Sequence, residues 1–521
     1  MQKRQIINIV NFIRGCEPRC EVDLVEPVRN QLALLDKYGF RGSFLFQYDA
    51  LIDSAFTGLF GAKERERHEI GVWLEIVEPM ARATGIPWRG RFPWDWHANV
   101  GFSVGYTPKE REILADILFE KFKEVFGYYP RTVGSWIIDA HTLAYLSDKY
   151  GLDASCNCKD QWGTDGYTLW GAYYNQAYYP SKANVFSPAQ SERMQIPVPV
   201  FRMLGSDPVE QYDCGLDPAS GAPSVQGVIT LEPVYSGSLG GGGEEDWVKW
   251  YLGENFSGNC LSFGYTQAGQ ENSFGWQAMR DGLETQLKYF DRMVKDGAAE
   301  VETLGESGRW FKRTFEKTPA SSVAALSHWK EDGKRSVWYD CRNYRVNIYS
   351  DPEGIRIRDL YIFREDYPER YLNDICRTEF LKFDNLPFVD GNRFSGGGIL
   401  AGIRLIYNGT PVKALRVTYR EEGEKCVCVD FMTSEFGGVT YRADPRGVTV
   451  TAGKNRGSLC LKYAFDKSDR MPSITVSDGA LELTYRGYSY RVGVSGEARI
   501  EDNSICFFPD EKGEIAFYTD L

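Results

Sequence analysis

The period of the hydrophobic pattern changes once along this chain, and that change constrains the fold more than any other feature. Up to about residue 315, short apolar β-branched runs alternate with stretches of helical period; from about residue 335 onward the period is two. A repeating strand–helix pattern calls for a parallel sheet covered by helices, and a period-two pattern divided by turn residues calls for antiparallel sheets. In the first part, 6–13 (IINIVNFI) reads as a buried strand. It is followed by a helix with Val25, Val28, Leu32 and Leu35 on one face, Asp23 as a candidate N-cap and Gly39 as its C-cap. Further strands are expected at 42–47, 68–76, 132–138, 152–158, 194–204, 227–234 and 260–267, with helices at 141–150, 244–252 and 277–296. The helix after Tyr106 is the best marked: Thr107 and Glu110 form a capping box around Pro108, and Ile113, Leu114, Ile117, Leu118, Phe122, Val125 and Phe126 make its apolar stripe. Seven or eight such units over some 310 residues predict a (β/α)7–8 barrel rather than an open sheet.

The second part contains RSVWYDCRNYRVNIYS, GIRIRDLYIF, VKALRVTYRE, KCVCVDFMT and LELTYRGYSYRVGV, and predicts an all-β antiparallel sandwich. Eleven of the 13 Trp lie at or before Trp310, which places the seam in the Pro-, Ser- and charge-bearing stretch near 316–335. The expected organisation is a catalytic barrel over 1–318, a linker over 319–335 and a sandwich over 336–521 that packs on the barrel and supports its loops, or itself binds sugar. The glycines from Gly240 to Gly243 lack the Lys-Ser/Thr of a phosphate loop and precede Glu244, Glu245 and Asp246, so a βα loop is expected there.

Composition narrows the ligand. Acidic residues (72) outnumber basic ones (60), giving a net charge of -12, which argues against nucleic acid or an anionic membrane as partner. Aromatic residues make up 14% of the chain against 4 His, which disfavours a His-rich metal site and offers flat apolar faces of the kind sugar rings stack on. The 12 Cys are scattered without disulfide-scaffold or zinc spacing and read as buried thiols. The N-terminal run is interrupted by Asn8, Asn11 and Arg14, and no apolar stretch reaches membrane-spanning length, so the sequence as it stands predicts a cytoplasmic protein; one from which a leader had been removed would be periplasmic or secreted. Nothing in the sequence signals an oligomeric state.

In a parallel barrel, chemistry gathers at the carboxyl ends of the strands. Those ends carry Arg14 and Glu17, Gln47 and Asp49, Glu75 and Glu78, Asp139, Asp160 and Asp165, Arg202 and Asp207, Glu232, and Gln267 with Glu271. No nucleophilic Ser elbow, nucleotide fingerprint or HExxH accompanies them. Converging carboxylates fit glycoside hydrolysis, in which one group protonates the departing oxygen while the other attacks the anomeric carbon or activates water. Each acid also has a plainer reading: Asp139 as cap of the helix 141–150, Glu232 as a turn residue before Pro233, Glu271 as the start of a loop.

The segment Gly134-Ser-Trp-Ile-Ile-Asp139-Ala-His-Thr-Leu-Ala-Tyr-Leu resembles the one that carries the nucleophile in glycoside hydrolase/deacetylase-like barrels, notably the family-38 α-mannosidases and family-57 amylases. KYGFRGSFLF and His68-Glu-Ile-Gly-Val-Trp-Leu-Glu75 resemble a polysaccharide deacetylase barrel, and the resemblance spans roughly residues 5–310. It implies Asp139 as nucleophile or base and Glu271, within Gly269-Gln-Glu-Asn-Ser-Phe-Gly-Trp276, or Glu232 as acid. Deacetylases of this type hold a metal through an Asp pair after the first strand and two His after the third; here Arg14-Gly-Cys-Glu17 ends the first strand, and Trp73 and Val77 stand at the His positions. A cofactor-free glycosidase acting on an oligo- or polysaccharide is therefore expected. Trp73, Trp94, Trp96, Trp136 and Trp162 are its candidate sugar platforms, and Glu75, His97, Asp160, Asp165, Arg202 and Asp207 its candidate substrate contacts. The alternatives are a carbohydrate deacetylase with a divergent divalent-metal site drawn from Glu17, Glu75 or Asp139, and a non-catalytic carbohydrate-binding protein.

Overall fold

The run 6–13 lies in the middle of a parallel sheet. In the computed structural model, which describes residues 3–217, 219–452, 458–468 and 470–519, strand β1 (Gln5–Ile13) is buried at all nine positions, as a strand covered on both faces must be. The two polar residues that interrupt it, Asn8 and Asn11, form hydrogen bonds to neighbouring elements. Asn8 donates to Glu302 O at 3.0 Å and to Ser307 Oγ at 2.8 Å, and Asn11 accepts from Gln270 N at 3.2 Å. Strands β2 (Ser43–Phe46), β3 (Glu69–Trp73), β4 (Thr132–Gly134), β5 (Ala154–Asn157) and β6 (Val200–Arg202) follow in parallel on one side of β1, and β7 (Gly264–Ala268) pairs in parallel on the other.

Among the described residues the outer strands β6 and β7 share no hydrogen bonds, yet their side chains meet, with the Phe201 and Tyr265 rings 5.0 Å apart. Residues 175–178 fill the gap: Ala177–Tyr178 pairs antiparallel with β6, and Asn175 donates to Tyr265 O at 2.9 Å. The sheet is thus a curled, barrel-like layer whose last seam is made by side chains. Several expected strands are shorter than their apolar runs, 132–138 being strand only over β4, and one is not a strand. Pro197 and Pro199 lack the N–H a ladder needs, so 194–204 is strand only over β6. The run 227–234 forms a loop touching the sheet by one bridge, Ser206 to Thr230.

The helices fall where the 3.6 period put them. Val25–Tyr38 ends at Gly39 with φ 74°, and Pro108–Phe126 starts with the Thr107–Glu110 capping box. Ala140–Tyr150, Glu245–Asn255 and Trp276–Lys295 follow, with Gly240 to Gly243 in the loop before Glu245–Asn255. Among the described residues no helix is long and apolar enough to cross a membrane, and all 12 Cys are free, with Cys20 alone exposed.

The second half contains two large antiparallel sheets. One runs through Ser321–Ala325, Arg335–Asp340, Tyr344–Asp351, Gly354–Ile362, Gly402–Tyr407, Leu459–Ala464, Ser504–Phe508 and Glu497–Glu501; the other runs from Arg416–Glu421 to Ser473–Ser477. Val346, Ile357, Leu461 and Phe507 of the first and Val429, Tyr441, Val450 and Phe517 of the second belong to one apolar cluster. The stretch 319–335, expected as a linker, carries the strand Ser321–Ala325, which pairs with Arg335–Asp340.

Sequence pattern did not foresee how far the halves interlock. The hairpin Gln161–Thr164 and Tyr167–Trp170 leaves the end of β5, and Leu381–Asp384 from the second half pairs in parallel with it. Trp170 Nε1 donates to Asp390 at 3.0 Å, and the Tyr174 ring stacks on Trp338 at 4.1 Å. The run 161–180, QWGTDGYTLWGAYYNQAYYP, supplies the first half's side of these contacts.

Candidate functional site

A cleft of about 380 Å³ opens at the carboxyl ends of the parallel strands. Arg14, Glu17 and Arg19 follow β1; Trp94 and Trp96 come from the excursion after β3; Trp136 follows β4; Lys159, Asp165 and Tyr167 follow β5; Leu204 follows β6; and Glu271, Ser273 and Phe274 follow β7. Glu232 and Tyr235, from the loop that replaces the expected strand 227–234, complete the wall.

Backbone geometry brings two of these walls in. Gly269 has φ 107°, and a Cβ there would fall 2.1 Å from Val10 O, so only glycine lets the chain leave β7 against β1 and turn Glu271 into the cleft. Leu204 sits at φ 78°, in the left-handed region that costs a side-chain-bearing residue about 1–2 kcal/mol; its carbonyl and that of Gly205 accept from Leu231 N at 2.9 and 3.1 Å, which ties the Glu232 loop to β6.

The acids divide into paired and unpaired. Arg14 reaches Glu75 Oε1 at 3.1 Å and Glu271 Oε2 at 2.9 Å, and its guanidinium lies 4.1 Å from the centre of the Trp94 ring. Glu75 is fully buried behind the cleft, where it also accepts from Trp94 Nε1 at 2.8 Å and Gln47 Nε2 at 3.1 Å. Glu17 is held by Arg19 through both carboxylate oxygens, at 2.8 and 2.5 Å. Glu271 accepts from Ser273 Oγ at 2.7 Å, and burial pushes its carboxyl above the usual range against the pull of Arg14, which it shares with Glu75. Among the described residues, Glu232 has no cation bonded to it. It accepts from Thr230 Oγ1 at 2.8 Å and Gln270 Nε2 at 3.3 Å, and burial, aided by the charge of Glu271, pushes its carboxyl up to about 7.

Of the residues nominated from sequence, Glu232, Glu271, Trp94, Trp96, Trp136 and Asp165 converge on this cleft. Asp139 does not. It is fully buried at the N-cap of Ala140–Tyr150, where it accepts from Thr142 N at 2.9 Å, Thr142 Oγ1 at 2.6 Å, Ser103 Oγ at 2.5 Å and Arg111 Nη1 at 3.1 Å. Burial would raise its carboxyl, but these partners, Arg111 foremost, hold it below the usual range. The strand-end acid is a cap that anchors Arg111, which also donates to Tyr371 O and Asp374 O of the second half.

Trp73 is stacked on Phe12 at 3.9 Å and fully buried. Trp162 lies against Trp170, Lys382 and Arg393. His97 bonds Asp95 at 2.8 Å and approaches Glu379 at 3.3 Å. Asp160 joins Arg202 at 2.8 Å and Arg345 at 2.5 Å, bridging to the second half, and Asp207 accepts from Trp247 Nε1 at 2.7 Å. The carboxylates of Asp160 and Asp207 and the ring of His97 are thus engaged by the protein itself. Trp94 carries both Arg14 and Arg19 over its ring, at 4.1 and 4.8 Å, and Trp96 is stacked by Phe92 at 5.9 Å. Trp136 meets Phe12 and Trp73 near perpendicular, at 5.2 and 5.6 Å. The nomination missed Arg19 and Lys159, the latter two residues beyond the end of β5, and it placed Arg14 at the end of the first strand without giving it a role.

A divalent ion does not fit this donor set. Glu75 and Glu271 already share Arg14, Glu17 is taken by Arg19, and the cleft has no His. Among the described residues, the groups of three donors within 4.8 Å of one another are Glu422–Cys426–Cys428 and Glu210–His328–Asp332, both outside the cleft.

No protein-family model and no curated protein sequence matches the chain. Solved structures do. A crystal structure described as a candidate glycoside hydrolase/deacetylase from Parabacteroides distasonis superposes with a TM-score of 0.54 at 15% identity, covering 74% of this chain and 90% of that one. A candidate polysaccharide deacetylase from Mycobacterium smegmatis (TM-score 0.33, 14% identity, 59% of this chain and 89% of that chain) and the α-amylase AmyC from Thermotoga maritima (0.32, 10%, 61% and 76%) are also similar. The chain has the fold of the glycoside hydrolase/deacetylase-like proteins.

Proposed function

We propose that this protein is a glycoside hydrolase acting on an oligo- or polysaccharide, with a glycoside hydrolase/deacetylase-like (β/α)7–8 barrel over about residues 1–318 as its catalytic unit and a β-sandwich behind it. The observation that carries the reading is the contrast between two buried carboxyls in one cleft. Glu232, without a bonded cation and pushed up to about 7, keeps a proton near neutral pH, whereas Glu271 lies against Arg14. Unequal environments around two acids are what general acid catalysis of glycosidic cleavage requires. In this reading Glu232 donates its proton to the departing glycosidic oxygen. Glu271 attacks the anomeric carbon or takes a proton from the attacking water, and Arg14, fixed by Glu75, positions it. Trp136 and Tyr235 line the cleft as surfaces for the sugar rings. Asp139 has no part in the chemistry.

The test is release of reducing ends from a panel of glycans by wild type, E271Q and E232Q, with released acetate followed in parallel. Cleavage by wild type that falls at least a hundredfold in E271Q supports the reading. Wild-type rates in both variants overturn it, and acetate release abolished by chelator would make the protein a deacetylase.

A further inference from the structure

Among the described residues, the cleft contains one cation without an ion-pair partner, Lys159. Lys159 is 1% exposed, lines the cleft, and forms no ion pair among the described residues; its ammonium donates only to Asp160 O, at 3.2 Å. A fully buried lysine is ordinarily paired, and an ammonium has three donors to satisfy. Each group facing it is otherwise engaged or uncharged. The Asp160 carboxylate belongs to Arg202 and Arg345. Glu232 is bonded by Thr230 and Gln270 and half-protonated near neutral pH. Burial pushes the Cys158 thiol up to about 12 and raises that of Cys214, so both stay neutral. Asp165 is exposed at the rim. Arg14 and Arg19, the other cations of the cleft, are matched by Glu75, Glu271 and Glu17.

We propose that Lys159 forms a subsite for an anionic substituent of the substrate, so that the glycan taken by this cleft is an acidic one, bearing a carboxylate as in hexuronic acids or a sulfate ester. A single ammonium beside the acid Glu232 places that substituent close to the scissile bond, and the anion would complete the coordination that Asp160 O begins. The inference rests on the carbohydrate reading above and adds to it the charge of the sugar. Burial without a partner also lowers the proton affinity of Lys159, and a bound anion would restore it.

The experiment compares matched pairs: hexuronic acid oligosaccharides with their carboxyl-reduced counterparts, and sulfated oligosaccharides with their desulfated forms. Binding is measured by titration calorimetry and cleavage by reducing-end release, for wild type, K159M and K159Q, with thermal melting as the check that both variants fold. Wild type is expected to favour the anionic member of one pair at least tenfold, and both variants to bring that ratio to within threefold of unity; the pair that responds identifies the anion. Equal handling of every pair by wild type, or a preference that survives both substitutions, overturns the inference while leaving the glycosidase reading intact if neutral glycans are cleaved. Binding and cleavage of no glycan at all overturn both.

Discussion

At the residue scale the cleft is governed by which acid has a cation. Glu232 has none bonded, and the rate that depends on its proton is expected to fall as pH rises through about 7. E232Q should lower kcat by about 10²–10⁴-fold and abolish that limb of the pH profile. The same group shapes stability. Its folded-state value lies above the ordinary 4.5, so its contribution is complete below that pH and is lost as pH rises through about 7, on the order of 3 kcal/mol in all. Denaturant titrations of wild type and E232Q at pH 5 and pH 9 measure it, and equal differences at both pH values would refute it. Arg14 poses the converse case, since removing it leaves both Glu75 and Glu271 buried without a bonded cation. R14M is expected to cost about 3–5 kcal/mol, and R14M/E75Q to recover part of that. The acids at strand ends were legible in the sequence because a parallel barrel makes strand ends special. Their pairing was not. Arg14, Arg19 and Lys159 look like solvated basic residues until the fold encloses them, and a strand-end Asp reads the same whether it faces the cleft or, as Asp139 does, caps a helix and binds Arg111.

At the element scale that cap is the point to test. Asp139 satisfies one orphan N–H of Ala140–Tyr150, that of Thr142, and neutralises a fully buried arginine. D139N keeps a capping side chain but removes the charge, so its cost comes from Arg111 and should be about 3–5 kcal/mol. Turnover per folded molecule should stay within threefold of wild type, because the carboxylate lies outside the cleft. A thousandfold loss of kcat with unchanged melting would return Asp139 to the chemistry. Elements with a local physical signature matched expectation: the capping box at Thr107, the αL glycine at 39, the continuous apolar run of β1. Those without one did not. In 194–204 the two prolines removed ladder donors, and 227–234, apolar and β-branched enough for a strand, is held as a loop by contacts to Leu204 and Gly205 that no local pattern encodes.

At the scale of the whole molecule, part of the aromatic excess that points to sugar in the sequence joins the halves. Trp170, Tyr174, Tyr212, Val323, Trp338 and Tyr361 form one buried cluster drawn from both sides of the seam. Period reading finds the two halves because each has its own periodicity, but it is blind to an interface between them, which has none. Two acids of this interface are kept from ionising. Asp340 accepts from Tyr174 N at 2.9 Å and is pushed up to about 8 by burial, with Asp359 and Asp160 adding to the rise and Arg345 opposing it. Glu369 accepts from Ala140 N at 3.0 Å and Val185 N at 2.9 Å and is pushed up to about 8 by burial and the charge of Asp139, against Arg111. Both values lie above the ordinary carboxylate range, so both groups contribute stability that is complete only below that range, declines as pH rises and is lost once pH has passed about 8. The interface is therefore expected to weaken between pH 7 and pH 9.5, before either core melts. Tryptophan near-ultraviolet circular dichroism should decay over that interval at constant far-ultraviolet signal, with the midpoint near 8. D340N and E369Q should each flatten part of the decay, and D340N/E369Q most of it. A wild-type signal that is constant to pH 9.5, or variants that decay as wild type does, would show that the halves are held together independently of these two protons.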